Sequence, residues 1–131
     1  MKKLFLILFC LLIAGISYAA SLSGQDAKLI ENAGIPLYPE AVFAYGNSSA
    51  GFRFATSDPV DSVRAWYRNK LSSWSVFAEY GGWILYNGKP GLGMGEVMSK
   101  NQISVQANDR LPEWHALDKT MTTEIVIMVF R

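Results

Sequence analysis

The sequence predicts an α+β domain: an antiparallel sheet of about five to six strands with a helix over residues 59–71 on one face, plus a short N-terminal helix. Two observations carry this expectation. Between Ser57 and Trp74, the residues Val60, Val63, Trp66, Tyr67 and Leu71 share one side at about 100° per residue, opposite Asp61, Ser62, Arg64, Ala65, Arg68 and Asn69. Around this segment the chain runs as helix, two strands, helix, four strands, an order that suits a sheet covered by the second helix.

The first residues form an export signal. Lys2 and Lys3 precede an apolar run from Leu4 to Ile16, and Ser17-Tyr18-Ala19 then places small residues where a signal peptidase reads. Cleavage is expected after Ala19, with Ala20 as the next choice, which divides the chain into a signal peptide (1–19) and one α+β domain (20–131). The apolar run is shorter than the roughly 20 residues of a spanning helix, which disfavours an uncleaved anchor. Cys10 follows Phe9 inside that run, whereas lipid attachment needs a small residue before the cysteine. The expected location is periplasmic or secreted.

Cleavage changes the composition that matters. The 131 residues less these 19 leave 112, without the single cysteine and so without a disulfide. A chain of that length can bury an adequate core unaided. Losing Lys2 and Lys3 takes Lys+Arg from 12 to 10 against 11 Asp+Glu, a net charge near −1 with no basic cluster. Nucleic acid and anionic membrane surfaces therefore have no electrostatic support as partners. No membrane span is expected after cleavage, since the longest later apolar run, Ile125 to Phe130, is far too short.

In order, Ser23 to Ala33 reads as a short helix stopped by Gly34. Pro36 and Pro39 make a stiff lead-in on which Leu37 and Tyr38 are expected to pack. Val42 to Tyr45 and Phe52 to Thr56 read as a hairpin around the turn formers 46–51, with Phe52 and Phe54 on one face. The 59–71 helix opens on Asp58 as a cap and Pro59 at the first helical position. Trp74, Val76, Ala78 and Tyr80 then alternate with polar or smaller neighbours as a strand. Gly81-Gly82 reads as a two-residue hairpin loop, returning through Trp83 to Tyr86 with Trp83 opposite Tyr80. Residues 87–101 are irregular and glycine-rich, with one helical turn near Glu96 to Ser99. Ile103, Val105 and Ala107 mark a further strand, and residues 108–121 a long loop. Thr122 to Phe130 is apolar on both faces after Glu124, as in a central strand, with Ile125 and Ile127 in the core.

Ile35-Pro36-x-Tyr38-Pro39-x-Ala41, Val63-x-x-Trp66-Tyr67-x-x-Lys70-Leu71-x-x-Trp74 and the terminal Thr123-x-Ile125-x-Ile127 occur in one order. In these segments the chain resembles small exported bacterial proteins of unknown function that carry a YPGA segment. Glu40 stands where those proteins usually have glycine, and the lipid-attachment cysteine that many of them carry is missing. The resemblance implies an envelope location and a shared fold, and it implies no activity.

Chemical signatures are sparse. His115, the one histidine, stands in Glu113-Trp114-His115-x-x-Asp118, where it reads as a loop residue beside a tryptophan. One histidine without cysteine does not build an ordinary zinc site, and no nucleophile turn accompanies it. The glycines at 88, 91, 93 and 95 lack the spacing of a phosphate loop, because Pro90 follows Lys89. No catalytic set, metal site or cofactor is expected. The aromatics are the least ordinary feature, and most are expected in the core. Trp83, Tyr86 and Trp114, with His115, are the candidates for an exposed binding surface. The leading expectation is a non-enzymatic binding or interaction module that holds a partner protein or small apolar ligand on the sheet face the helix leaves uncovered. The alternatives are a small envelope hydrolase using carboxylates such as Glu79, Glu96 and Glu113 with His115, and an assembly subunit without a ligand.

Overall fold

The computed structural model describes residues 22–108 and 120–131. The expected signal peptide, with the cleavage expected at Ala19, lies outside these residues, as do Trp114 and His115. Six strands form one antiparallel sheet: β1 (Val42–Asn47), β2 (Gly51–Thr56), β3 (Ser75–Phe77), β4 (Ile84–Tyr86), β5 (Gln102–Ala107) and β6 (Thr123–Met128). Their order across the sheet is β1-β2-β6-β5-β4-β3. Among the described residues the helices are α1 (Gly24–Asn32), α2 (Val60–Lys70) and the single turn α3 (Met94–Val97). The expected α+β class and strand number both hold, and β6 lies inside the sheet as its apolar sequence requires.

Register puts the large residues of adjacent strands side by side. Phe52 and Phe54 of β2 face Ile127 and Ile125 of β6, which face Ile103 and Val105 of β5. These six join Leu85 of β4, Val63 and Tyr67 of α2, Leu71 just after it, and Ile30 and Ile35 in one buried cluster. Val60 and Trp66, expected in the core, are half-buried at its margin. Trp66 is held there by edge contacts with Tyr38 and Tyr67 at 5.2 and 4.9 Å.

Local chemistry explains the helix ends. The Ser23 side chain accepts a hydrogen bond from the Asp26 N–H at the start of α1. At its end Gly34 takes φ +75°, and its N–H and that of Ile35 donate to the carbonyls of Glu31 and Ile30. That pairing is the glycine stop the sequence predicts, with Ile30 and Ile35 packed together behind it. The start of α2 differs from expectation. Its N-cap position is Pro59, and the Asp58 side chain makes no cap hydrogen bond. Instead the Asp58 carboxylate accepts from the Tyr38 hydroxyl at 2.5 Å, while its carbonyl accepts from the Thr123 hydroxyl at 2.6 Å. Residue 58 thus joins the proline lead-in, the helix start and β6.

Three further expectations are corrected. Leu37 is 44% exposed, because the turn at Pro39 directs Tyr38 rather than Leu37 toward Trp66 and Tyr67. The strand expected from Trp74 to Tyr80 stops at Phe77, which pairs with Ile84, so residues 78–83 form the loop. That loop turns on Tyr80 (φ +55°) and Gly81 (φ +76°), closed by the Gly82 N–H donating to the Glu79 carbonyl. Positive φ at both central positions makes this a type I′ turn one residue earlier than Gly81-Gly82. Tyr80 consequently stands 88% exposed at its tip and does not pair with Trp83.

Candidate functional site

The sheet face turned away from α2 is not an open aromatic platform. At one end Tyr86 is 1% exposed, packs with Phe77 and Val97 under α3, and donates its hydroxyl proton to the Lys89 carbonyl. Tyr86 therefore belongs to a small second core, since its position on β4 shares a face with Phe77 rather than with solvent. Near the middle, Arg53 of β2 and Glu124 of β6 form an ion pair of 2.6 Å, their side chains 23% and 3% exposed. Gln106 of β5 donates to the same carboxylate oxygen at 3.4 Å, and the Arg53 guanidinium lies 5.6 Å from the Tyr45 ring centre. Their pairing positions on neighbouring strands bring these groups together, and they make this surface polar where an apolar ligand was expected.

Trp83 lies on the helix side, half-buried against the main core. The Arg64 guanidinium sits 5.3 Å from its ring centre, and Arg64 donates twice to the Val105 carbonyl, at 3.0 and 2.8 Å. β4 pairs with β5 only as far as Ser104, so Arg64 satisfies a carbonyl just beyond the ladder. A cation already occupies one face of Trp83, so the ring is a packing element rather than a free platform.

A concave site does exist, at the other end of α2. Arg68 and Leu71 come from its last turn and the residue after it. Ser72 follows in a turn closed by the Trp74 N–H donating to the Leu71 carbonyl at 3.0 Å. Trp74 and Val76 then line the approach to β3 and the strand itself, and Leu85 lies beside Val76 on β4. These six residues line an open cleft of about 270 Å³. Leu71 and Leu85 form a buried floor, Trp74 is half-buried, and Val76 is 38% exposed at the lip. Arg68 supplies the one charge of the lining and Ser72 a hydroxyl. Arg68 and Lys70 also complement the negative end of the helix.

The surface this lining exposes is more polar than apolar, with the Arg68 cation and the Ser72 hydroxyl beside Trp74 and Val76. It contains no carboxylate pair, imidazole or thiol for acid–base or nucleophilic chemistry. Among the described residues no group of three or more His, Cys, Asp or Glu is gathered closely enough to hold a metal ion. Neither Trp83 nor Tyr86 lines this cleft, and Trp114 and His115 lie outside the described residues. The sequence signal for it was modest: a helix ending in Ser72-Ser73 directly before a tryptophan-led strand. The Arg53–Glu124 pair carried a clearer one, two charges inside otherwise apolar strands at positions facing away from the core.

No family model, curated protein or solved structure matches this chain. The resemblance to exported proteins of unknown function thus rests on its own residues.

Proposed function

We infer that this is an exported, non-enzymatic binding module that holds a partner protein's side chain or a small apolar ligand in the cleft beside the end of α2. The observation that carries this reading is the lining: Leu71 and Leu85 as a buried floor, Trp74 and Val76 beside it, and a polar rim of Ser72 and one cation, Arg68. A cavity of about 270 Å³ lies just under the roughly 300–1,000 Å³ of drug-sized ligand sites, which favours a small occupant. Export is supported by Lys2, Lys3, the apolar run and the Ser17-Tyr18-Ala19 triplet. Among the described residues no helix is long and apolar enough to cross a membrane.

The test is native mass spectrometry on the protein purified gently from the periplasm, beside a Val76→Asp variant. The expected result is a co-purifying mass that the wild-type chain retains and the variant loses, with unchanged far-ultraviolet circular dichroism. Equal retention by both would place binding elsewhere.

A further inference from the structure

The cleft and the Tyr80 tip lie at opposite ends of the same edge strand, and we propose that the cleft receives the Glu79-Tyr80 tip of a second copy of this chain. The inference rests on the reading of the cleft as a binding site and names its occupant. Four features converge. Tyr80 is 88% exposed and holds φ +55°, so neither burial nor backbone preference accounts for a tyrosine there. The cleft, of about 270 Å³, is of a size that suits one tyrosine side chain, with Leu71 and Leu85 below the ring and Arg68 and Ser72 as polar partners for its hydroxyl. Charge is complementary: Glu79 adjoins Tyr80, Arg68 is the cation in the cleft lining, and neither enters an ion pair among the described residues.

The fourth feature is geometric. β3 ends the strand order, with no strand beyond it among the described residues. When two copies approach antiparallel along β3 with a two-fold axis near Val76, the loop after β3 of one copy, with Tyr80 at its tip, comes beside the turn before β3 of the other, with Ser72. Both tips then reach both clefts in one step. The arrangement is self-complementary and closes at the dimer, so it does not propagate into a filament.

Sedimentation velocity on the exported, processed chain across a micromolar to millimolar series reads the association. The expected result is a monomer–dimer equilibrium that Tyr80→Gly weakens at least tenfold. That variant removes the ring and relieves the positive φ, so it folds at least as well as the wild type. Arg68→Glu and Glu79→Arg are each expected to weaken the dimer about tenfold, and the double variant to return within about threefold of wild type. A chain monomeric at every concentration overturns the proposal, as does a dimer unmoved by Tyr80→Gly or a double variant no better than the single ones. Should the monomer still carry a small molecule that Val76→Asp loses, self-pairing is wrong while the binding reading stands.

Discussion

Glu40 occupies φ +63° directly after Pro39, in a turn closed by the Ala41 N–H donating to the Tyr38 carbonyl at 3.2 Å. Proline second and positive φ third is the type II pattern, which suits glycine. A side chain in that conformation costs roughly 1–2 kcal/mol, partly offset by the extra freedom glycine brings to the unfolded chain. Glu40→Gly should therefore raise stability by about 0.5–1 kcal/mol in a urea titration, and a loss of stability would mean that the carboxylate makes a compensating contact. A second residue-scale oddity is Tyr67, fully buried with its hydroxyl unpartnered among the described residues. Burial is the main influence pushing its pKa up; the Tyr38 backbone opposes that slightly without completing a hydrogen bond. An unsatisfied buried hydroxyl costs roughly 1–3 kcal/mol, so Tyr67→Phe should stabilise by about 1 kcal/mol. Destabilisation by a similar amount would reveal a hydrogen bond in solution. The apolar period assigned Tyr67 to the core, but no period can say whether its oxygen finds a donor or acceptor.

The β1–β2 hairpin shows what an element demands. Gly46 sits at φ +123°, and a Cβ there would lie 2.0 Å from the Gly51 carbonyl oxygen. Backbone, not a yielding side chain, blocks that space. Gly46→Ala should cost about 2–3 kcal/mol, through strain and overpacking together, and a thermal midpoint within a degree of wild type would show the hairpin repacking freely. Helices were the most legible elements, because caps and a 3.6-residue period act locally. α1 and α2 fall within a residue or so of their expected ends. The β3–β4 loop was misread because turn type depends on how strands pair. With Phe77 against Ile84, the backbone needs positive φ at residues 80 and 81, although the sequence offers glycine at 81 and 82. Tyr86 was misjudged for a related reason. Its burial depends on residues 92–97 folding back over β4, a contact that alternation within one strand does not encode.

For the whole molecule, Asp58 is where distant parts of the chain meet. The Tyr38 hydroxyl donates to it, and that bond, followed by burial and the carboxylate's charge, pushes the Tyr38 pKa up to about 12 from 10.0. The folded chain thus holds this proton more tightly than the unfolded one. Its stabilising contribution is complete below about pH 10 and is lost as pH rises through about 12. Tyr67, also shifted upward, acts with the same sign. The melting temperature should therefore fall between those pH values, and less steeply in Tyr38→Phe; parallel curves for the two proteins would show that the bond contributes nothing. Sheet class and the central place of the last strand were legible from its two apolar faces. The cleft was not, since it forms only where the end of α2 meets β3 and β4, elements whose pairing is set at long range. β6 has one more consequence. The β1–β2 hairpin and the β3–β4–β5 meander each form from neighbouring sequence, yet they join only through residues 123–128. Ladder closure must wait until those residues are available, and such late non-local pairing is slow. On the export route inferred above, that delay would leave the polypeptide loose enough to thread a translocation pore and let it lock into shape on the far side.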